Sequence, residues 1–127
     1  MENFRDFDAG PDPFDRTWHV QFKYLQTGIS IRHSDSVDVR FILESGDERM
    51  QKTVVIPLAD IRAYAQRSGR QISDAWCSRL AACRIRDVVS TAEDFEKDYL
   101  AVTASEMERY DEMTRKWEEE WVRKHAA

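Results

Sequence analysis

Three histidines, two cysteines and a cluster of arginines are the side chains of this 127-residue chain with the most chemistry to offer. His19 occupies a polar position of one alternating stretch, and His33 an apolar position at the end of the next. The two therefore face opposite sides of a sheet and cannot share a metal ion, while His125 sits beside the C-terminus. No HExxH, CxxC or comparable ligand spacing occurs, so neither metal nor cofactor is expected. Cys77 and Cys83 fall six residues apart in a helical stretch, about 120° around the axis and ~9 Å along it. That exceeds the ~7 Å Cα limit of a disulfide. Reduced core thiols and a cytoplasmic setting follow.

Nucleophile and phosphate chemistry have no motif to carry them. There is no GxSxG elbow, Walker A loop or GxGxxG, and the four glycines (10, 28, 46 and 69) are scattered. A small enzyme or ligand-binding domain would need a pocket of carboxylates assembled by the fold. The arginines Arg62, Arg67, Arg70, Arg79, Arg84 and Arg86 face only Asp60, Asp74 and Asp87 in the same stretch, which makes nucleic-acid binding an alternative function. Residues 65–69 and the helix after them follow a helix-turn-helix only loosely: the turn is polar where that motif packs a hydrophobe, and Trp76 crowds the reading helix. The polar sheet face (His19, Gln21, Lys23, Arg32, Arg40) has no aromatic groups for base stacking. The competing reading pairs these arginines with the acidic C-terminal helix.

The elements that position these groups are legible from periodicity. Trp18, Val20, Phe22 and Tyr24 alternate with polar residues, as do Val37, Val39, Phe41 and Leu43; Ile29 and Ile31, then Met50, Val54 and Ile56, complete four strands. A three-residue loop at 34–36 sets His33 against Val37 and Ile31 against Val39, and a four-residue loop at 44–47 sets Phe41 against Met50. Leu58, Ile61, Tyr64 and Ala65 make a helical stripe ending at Gly69, and Ser73 caps a second helix. Ser90 to Glu93 match a capping box, after which no Gly or Pro interrupts the chain as far as Lys124. Phe95, Tyr99, Val102, Glu106, Tyr110, Met113, Trp117 and Trp121 recur at an eleven-residue period, which predicts one nearly straight helix of ~50 Å. Its opposite face carries acid-first i,i+4 pairs, Asp111–Arg115, Glu112–Lys116, Glu119–Arg123 and Glu120–Lys124.

The expected architecture is α+β: an antiparallel four-stranded β-meander (about 17–56) packed by two shorter helices and one long C-terminal helix. Residues 1–15 read as an acidic extended arm, 16–105 as the globular domain and 106–127 as the distal, interacting part of the amphipathic helix. At 127 residues one domain can bury a core without staples. No apolar run spans a bilayer, the first residues lack a leader's apolar stretch, and the long helix is too acidic for anionic lipid. The net charge of −5 divides unevenly. Residues 1–15 hold one base against five acids, 16–90 twelve bases against eight acids, and 91–127 six against eleven. The expected function is non-catalytic: a protein–protein interaction or oligomerisation module associating through Tyr110, Met113, Trp117 and Trp121, with itself as a homodimer or with another protein.

Overall fold

The structure, a computed structural model, describes residues 4–28 and 35–125, the side chains of Trp121 and His125 excepted. In chain order the elements are β1 (Asp6–Ala9), β2 (Trp18–Gly28), β3 (Ser36–Ser45), β4 (Glu48–Pro57), α1 (Leu58–Ser68), α2 (Asp74–Thr91), β5 (Tyr99–Ala101) and α3 (Ala104–His125). The sheet order is β1-β2-β3-β4-β5; β1 to β4 form an antiparallel meander and β5 joins β4 in parallel. The class, the meander and two shorter helices before a C-terminal one agree with the sequence. The sheet is wider than expected, because each edge gains a short strand.

Ile29, Ile31, Arg32 and His33, expected as the second strand, lie outside the described residues. The partner of β3 is instead the second half of β2, with Leu25 opposite Val39 and Thr27 opposite Val37. The third turn is also tighter than expected. Gly46 takes the left-handed conformation beside Asp47, Ser45 pairs with Glu48, and Met50 lies opposite Leu43 rather than Phe41. A shift of two residues preserves parity, so the apolar residues of β3 and β4 keep their face. Trp18, Val20, Val39, Phe41, Leu43, Val54 and Ile56 are wholly buried there, under α2, which crosses β1 to β4.

The helix starts follow local chemistry. Ser73 accepts a bond from the Trp76 amide at 3.1 Å, and Gly69, at φ 75°, closes α1 with its amide on the Ala65 carbonyl. The long C-terminal helix needs correction. The chain leaves α2 at Thr91, turns, adds β5 to the sheet and starts α3 at Ala104, so the helix has 22 residues. The capping box is Thr103 to Glu106, not Ser90 to Glu93: the Glu106 carboxylate accepts from the Thr103 amide at 3.0 Å, and the Thr103 hydroxyl from the Glu106 amide at 3.3 Å. What breaks the expected helix is tertiary burial. Phe95 packs against Trp18 at 5.5 Å, Leu100 and Val102 enter the core, and the buried Lys52 ammonium donates to the carbonyls of Phe95 and Lys97. Among the described residues no helix is long and apolar enough to cross a membrane.

Candidate functional site

The C-terminal end of α2, the turn at 92–98, β5 and the first turns of α3 enclose a polar cleft of about 580 Å³. Its floor is a charge network. Arg84, with its side chain 10% exposed, reaches Asp94 at 3.3 Å and Glu106 at 3.4 Å, while Arg109 reaches Asp87 at 2.8 Å. The Tyr110 hydroxyl accepts from Arg109 at 3.2 Å. It lies 3.0 Å from Asp87 and 3.2 Å from Glu106, and can donate its single proton to only one of them. Burial, and then the charges of Glu106 and Asp87, push this phenol well above its ordinary range. It stays protonated at any physiological pH and cannot serve as a base. Lys97 adds a rim contact to Asp94 at 3.1 Å. In chemical terms the cleft is a set of paired cationic and carboxylate groups, with one carboxylate more than it has cations, that offers binding contacts more readily than proton transfer.

The cleft's open side is a strand edge. The Asp98 carbonyl accepts from the Thr53 amide and the Val102 amide donates to the Val55 carbonyl, so alternate backbone groups of this segment turn toward β4. The amides and carbonyls of Tyr99 and Ala101 consequently turn outward, beside the cleft. The 92–98 turn carries left-handed backbone at Ala92 and Asp94, whose φ values are 61° and 63°. Lys52 beneath it has its charged form disfavoured by burial, although Asp98 and Glu96 pull the other way.

The expected association stripe is placed unevenly. Tyr110 is 0% exposed and lies behind the cleft wall, its hydroxyl bonded to the Asp87, Glu106 and Arg109 side chains that line it. Met113, at 36%, is at the surface. Trp117 is half-buried, its ring 4.6 Å from the guanidinium of Arg86, which also stacks on Phe7 at 4.9 Å. The Trp121 side chain lies outside the described residues. Four of the six arginines expected to contact nucleic acid are held, at most half-exposed, by partners within the fold. Arg70 bonds Asp111 and Glu118, Arg79 bonds Glu118, Arg84 bonds Asp94 and Glu106, and Arg86 lies between two rings. Arg62 and Arg67 remain exposed, the latter over Tyr64. Asp111, expected on the solvent face of its helix, is wholly buried and accepts from Tyr64, Arg70 and Trp76 at 2.8, 2.8 and 2.9 Å. His19 bridges Asp6 at 2.8 Å and Asp8 at 3.0 Å. Among the described residues, no group of three or more His, Cys, Asp and Glu is arranged to hold a metal.

Contrary to the expectation from alternation, the second face of the sheet carries aromatic residues. A bulge between Phe22 and Tyr24 inserts Lys23 and turns Tyr24 onto the face away from the helices, its ring 5.7 Å from the Arg40 guanidinium. Register then aligns Tyr24, Arg40, Thr53 and Tyr99 in a single row across β2, β3, β4 and β5. Arg40 is held in that row by bonds to Thr53 at 3.0 Å and Gln51 at 3.2 Å. Tyr99 is 64% exposed, and Ile42 and Val55 flank the row half-buried. A parallel row toward the β3–β4 turn alternates in sign: Asp8, His19, Glu44 and Arg49. Strict alternation puts Tyr24 in the core, and nothing in the residues at 22–24 announces the bulge.

No family model, no curated protein and no solved structure matches this chain.

Proposed function

We propose that this chain is a non-catalytic protein-association module that pairs with a second copy of itself through the open face of its sheet. The observation that carries this is the symmetry of the two rows just described. A two-fold axis along the strands, between β3 and β4, brings Tyr24 of one copy over Tyr99 of the other and Arg40 over Thr53. The same axis brings Glu44 over Arg49. Such an isologous contact requires one surface to hold both members of every pair, and this face holds them on strands equidistant from the axis. Its anatomy suits an interface, with Tyr and Arg at the centre and charges at the rim. Three strands of 10 or 11 residues at ~3.3 Å, laid side by side at ~4.8 Å, give a footprint of roughly 500 Å², and the short β1 and β5 bring it to about 600 Å², the size of a modest, reversible contact. Buried free thiols fit a reducing compartment such as the cytoplasm.

Sedimentation velocity over a wide concentration range tests this. The wild-type chain is expected to dimerise, Glu44→Arg and Arg49→Glu each to weaken the dimer, and the double variant to recover it. A wild-type monomer at every concentration would overturn self-association. A dimer indifferent to these charges but dissolved by Met113→Glu would move the contact to α3.

A further inference from the structure

We infer that the cleft beside β5 is a docking site for an extended, basic polypeptide segment, which adds to the sheet as a sixth strand. The site uses the backbone edge of β5 and the helix side of the sheet, and shares only Tyr99 with the face used for self-pairing.

The backbone provides the first argument. β5 pairs only with β4 among the described strands, and its outward groups are the amides and carbonyls of Tyr99 and Ala101. An extended segment laid along this edge can satisfy up to four main-chain hydrogen bonds. Edge strands are usually obstructed, whereas Tyr99 and Ala101 on this one are exposed. The space provides the second argument. The cleft of about 580 Å³ opens where the new strand would run, with Leu100 and Ala101 on one wall and Thr103, Ser105 and Glu106 on another. Side chains alternate along a strand, so every second residue of the segment would point to the side of Leu100, toward the cleft, where carboxylates outnumber cations by four to three.

Charge chooses the partner. Asp87, Glu93, Asp94 and Glu106 line the cleft against Arg84, Lys97 and Arg109, and those three cations are already bonded to Asp87, Asp94 and Glu106. Glu96 and Asp98, both exposed on the adjoining turn, deepen the negative excess. A cationic segment gains from this field and an acidic one is repelled, with the difference screened by salt beyond about 10 Å at 0.1 M.

The probe is a capped peptide alternating valine and lysine, titrated into the isotope-labelled full chain while amide resonances are followed by NMR. A peptide alternating valine and glutamate, of matching strand propensity, is the control. The expected result is saturable movement centred on Tyr99, Leu100, Ala101 and Glu93, weakened severalfold by moderate salt and absent with the acidic peptide. Ala101→Pro removes an outward donor without touching a bond to β4, and is expected to abolish the movement while the rest of the spectrum is retained. Should that variant not fold, Glu93→Lys is the second one, with affinity expected to fall severalfold. Movement centred elsewhere, no saturable movement, or equal response to both peptides would overturn the site. None of these outcomes depends on whether the chain dimerises, since Glu44→Arg can be titrated in parallel.

Discussion

Two carboxylates and two thiols show how single residues here are tuned by their surroundings. Asp111 is buried, which opposes its charge, yet the bonds from Arg70, Tyr64 and Trp76 outweigh that and hold its carboxyl below the usual range. It ties α1, the α1–α2 loop and α2 to α3 through one atom group. Asp111→Ala leaves Arg70 with Glu118 as its remaining carboxylate and the buried Tyr64 and Trp76 donors without their acceptor, so a loss of about 3 kcal/mol in chemical denaturation is expected. The sign with pH follows: a depressed acid contributes stability above its unfolded value of 3.8, and that contribution disappears as pH falls through the lower folded value. Asp12 behaves alike at the opposite end of the chain. Burial opposes its charge too, but bonds from Arg16, Trp18 and Phe14 bring it down to about 2 and fix the loop between β1 and β2. The thiols move the other way. Burial pushes Cys77 up to about 11 and Cys83 up to about 12, leaving almost no thiolate at neutral pH. A colorimetric thiol reagent is expected to detect neither cysteine in the native chain and both after denaturation. Prompt native reaction would mean that α2 does not pack as described.

Among the elements, β1 is the one whose attachment responds to pH. Its bond to β2 is reinforced by His19, set opposite Asp8 and diagonal to Asp6. The hydrogen bond to Asp8, aided by the charges of Asp6, Asp8 and Glu44, outweighs partial burial and raises the imidazole above 6.5. A raised histidine contributes fully below its unfolded value and loses that contribution as pH rises through the folded one. Amide protection factors in β1 are therefore expected to fall from pH 6.5 upward, and to show no such step in His19→Ala. A β1 equally protected at all pH values would show that Phe7 and Ala9 alone hold the strand. The sequence reveals the elements whose causes are local. The meander's alternation, the Gly69 stop and the Ser73 cap are all set by residues within a few positions. It does not reveal β1, β5 or the bulge at Lys23, because these depend on distant partners. Phe95 joins a core built by Trp18, and Lys52 captures two carbonyls more than forty residues away. The same cause hid the candidate site: Tyr99 reads as one rung of a helical stripe until β5 turns it onto the open face.

At the scale of the whole molecule, the charge blocks of the sequence become internal bonds. The basic middle of the chain, which invites a polyanion, folds against the acidic C-terminal third. Arg70 and Arg79 converge on Glu118, Arg70 also on Asp111, and Arg84 on Glu106 and Asp94. Replacing such partners with phosphates would require separating guanidinium groups from carboxylates that are already placed, and of the six arginines between 62 and 86 only Arg62 and Arg67, both on α1, stay exposed, too few to neutralise a duplex backbone from that surface. The open sheet face, with its tyrosine row, offers stacking groups, but its charged row is balanced and the chain as a whole is at −5. Phosphate contacts lose affinity steeply with salt, with a slope close to the number of phosphates neutralised. Fluorescence anisotropy with a labelled duplex is therefore expected to detect no binding at physiological ionic strength, and at low salt only a weak response with a slope near two. A steep salt slope that Arg70→Ala or Arg84→Ala reduces by one would reverse this, because it would show those arginines reaching phosphate rather than the carboxylates that hold them in the fold.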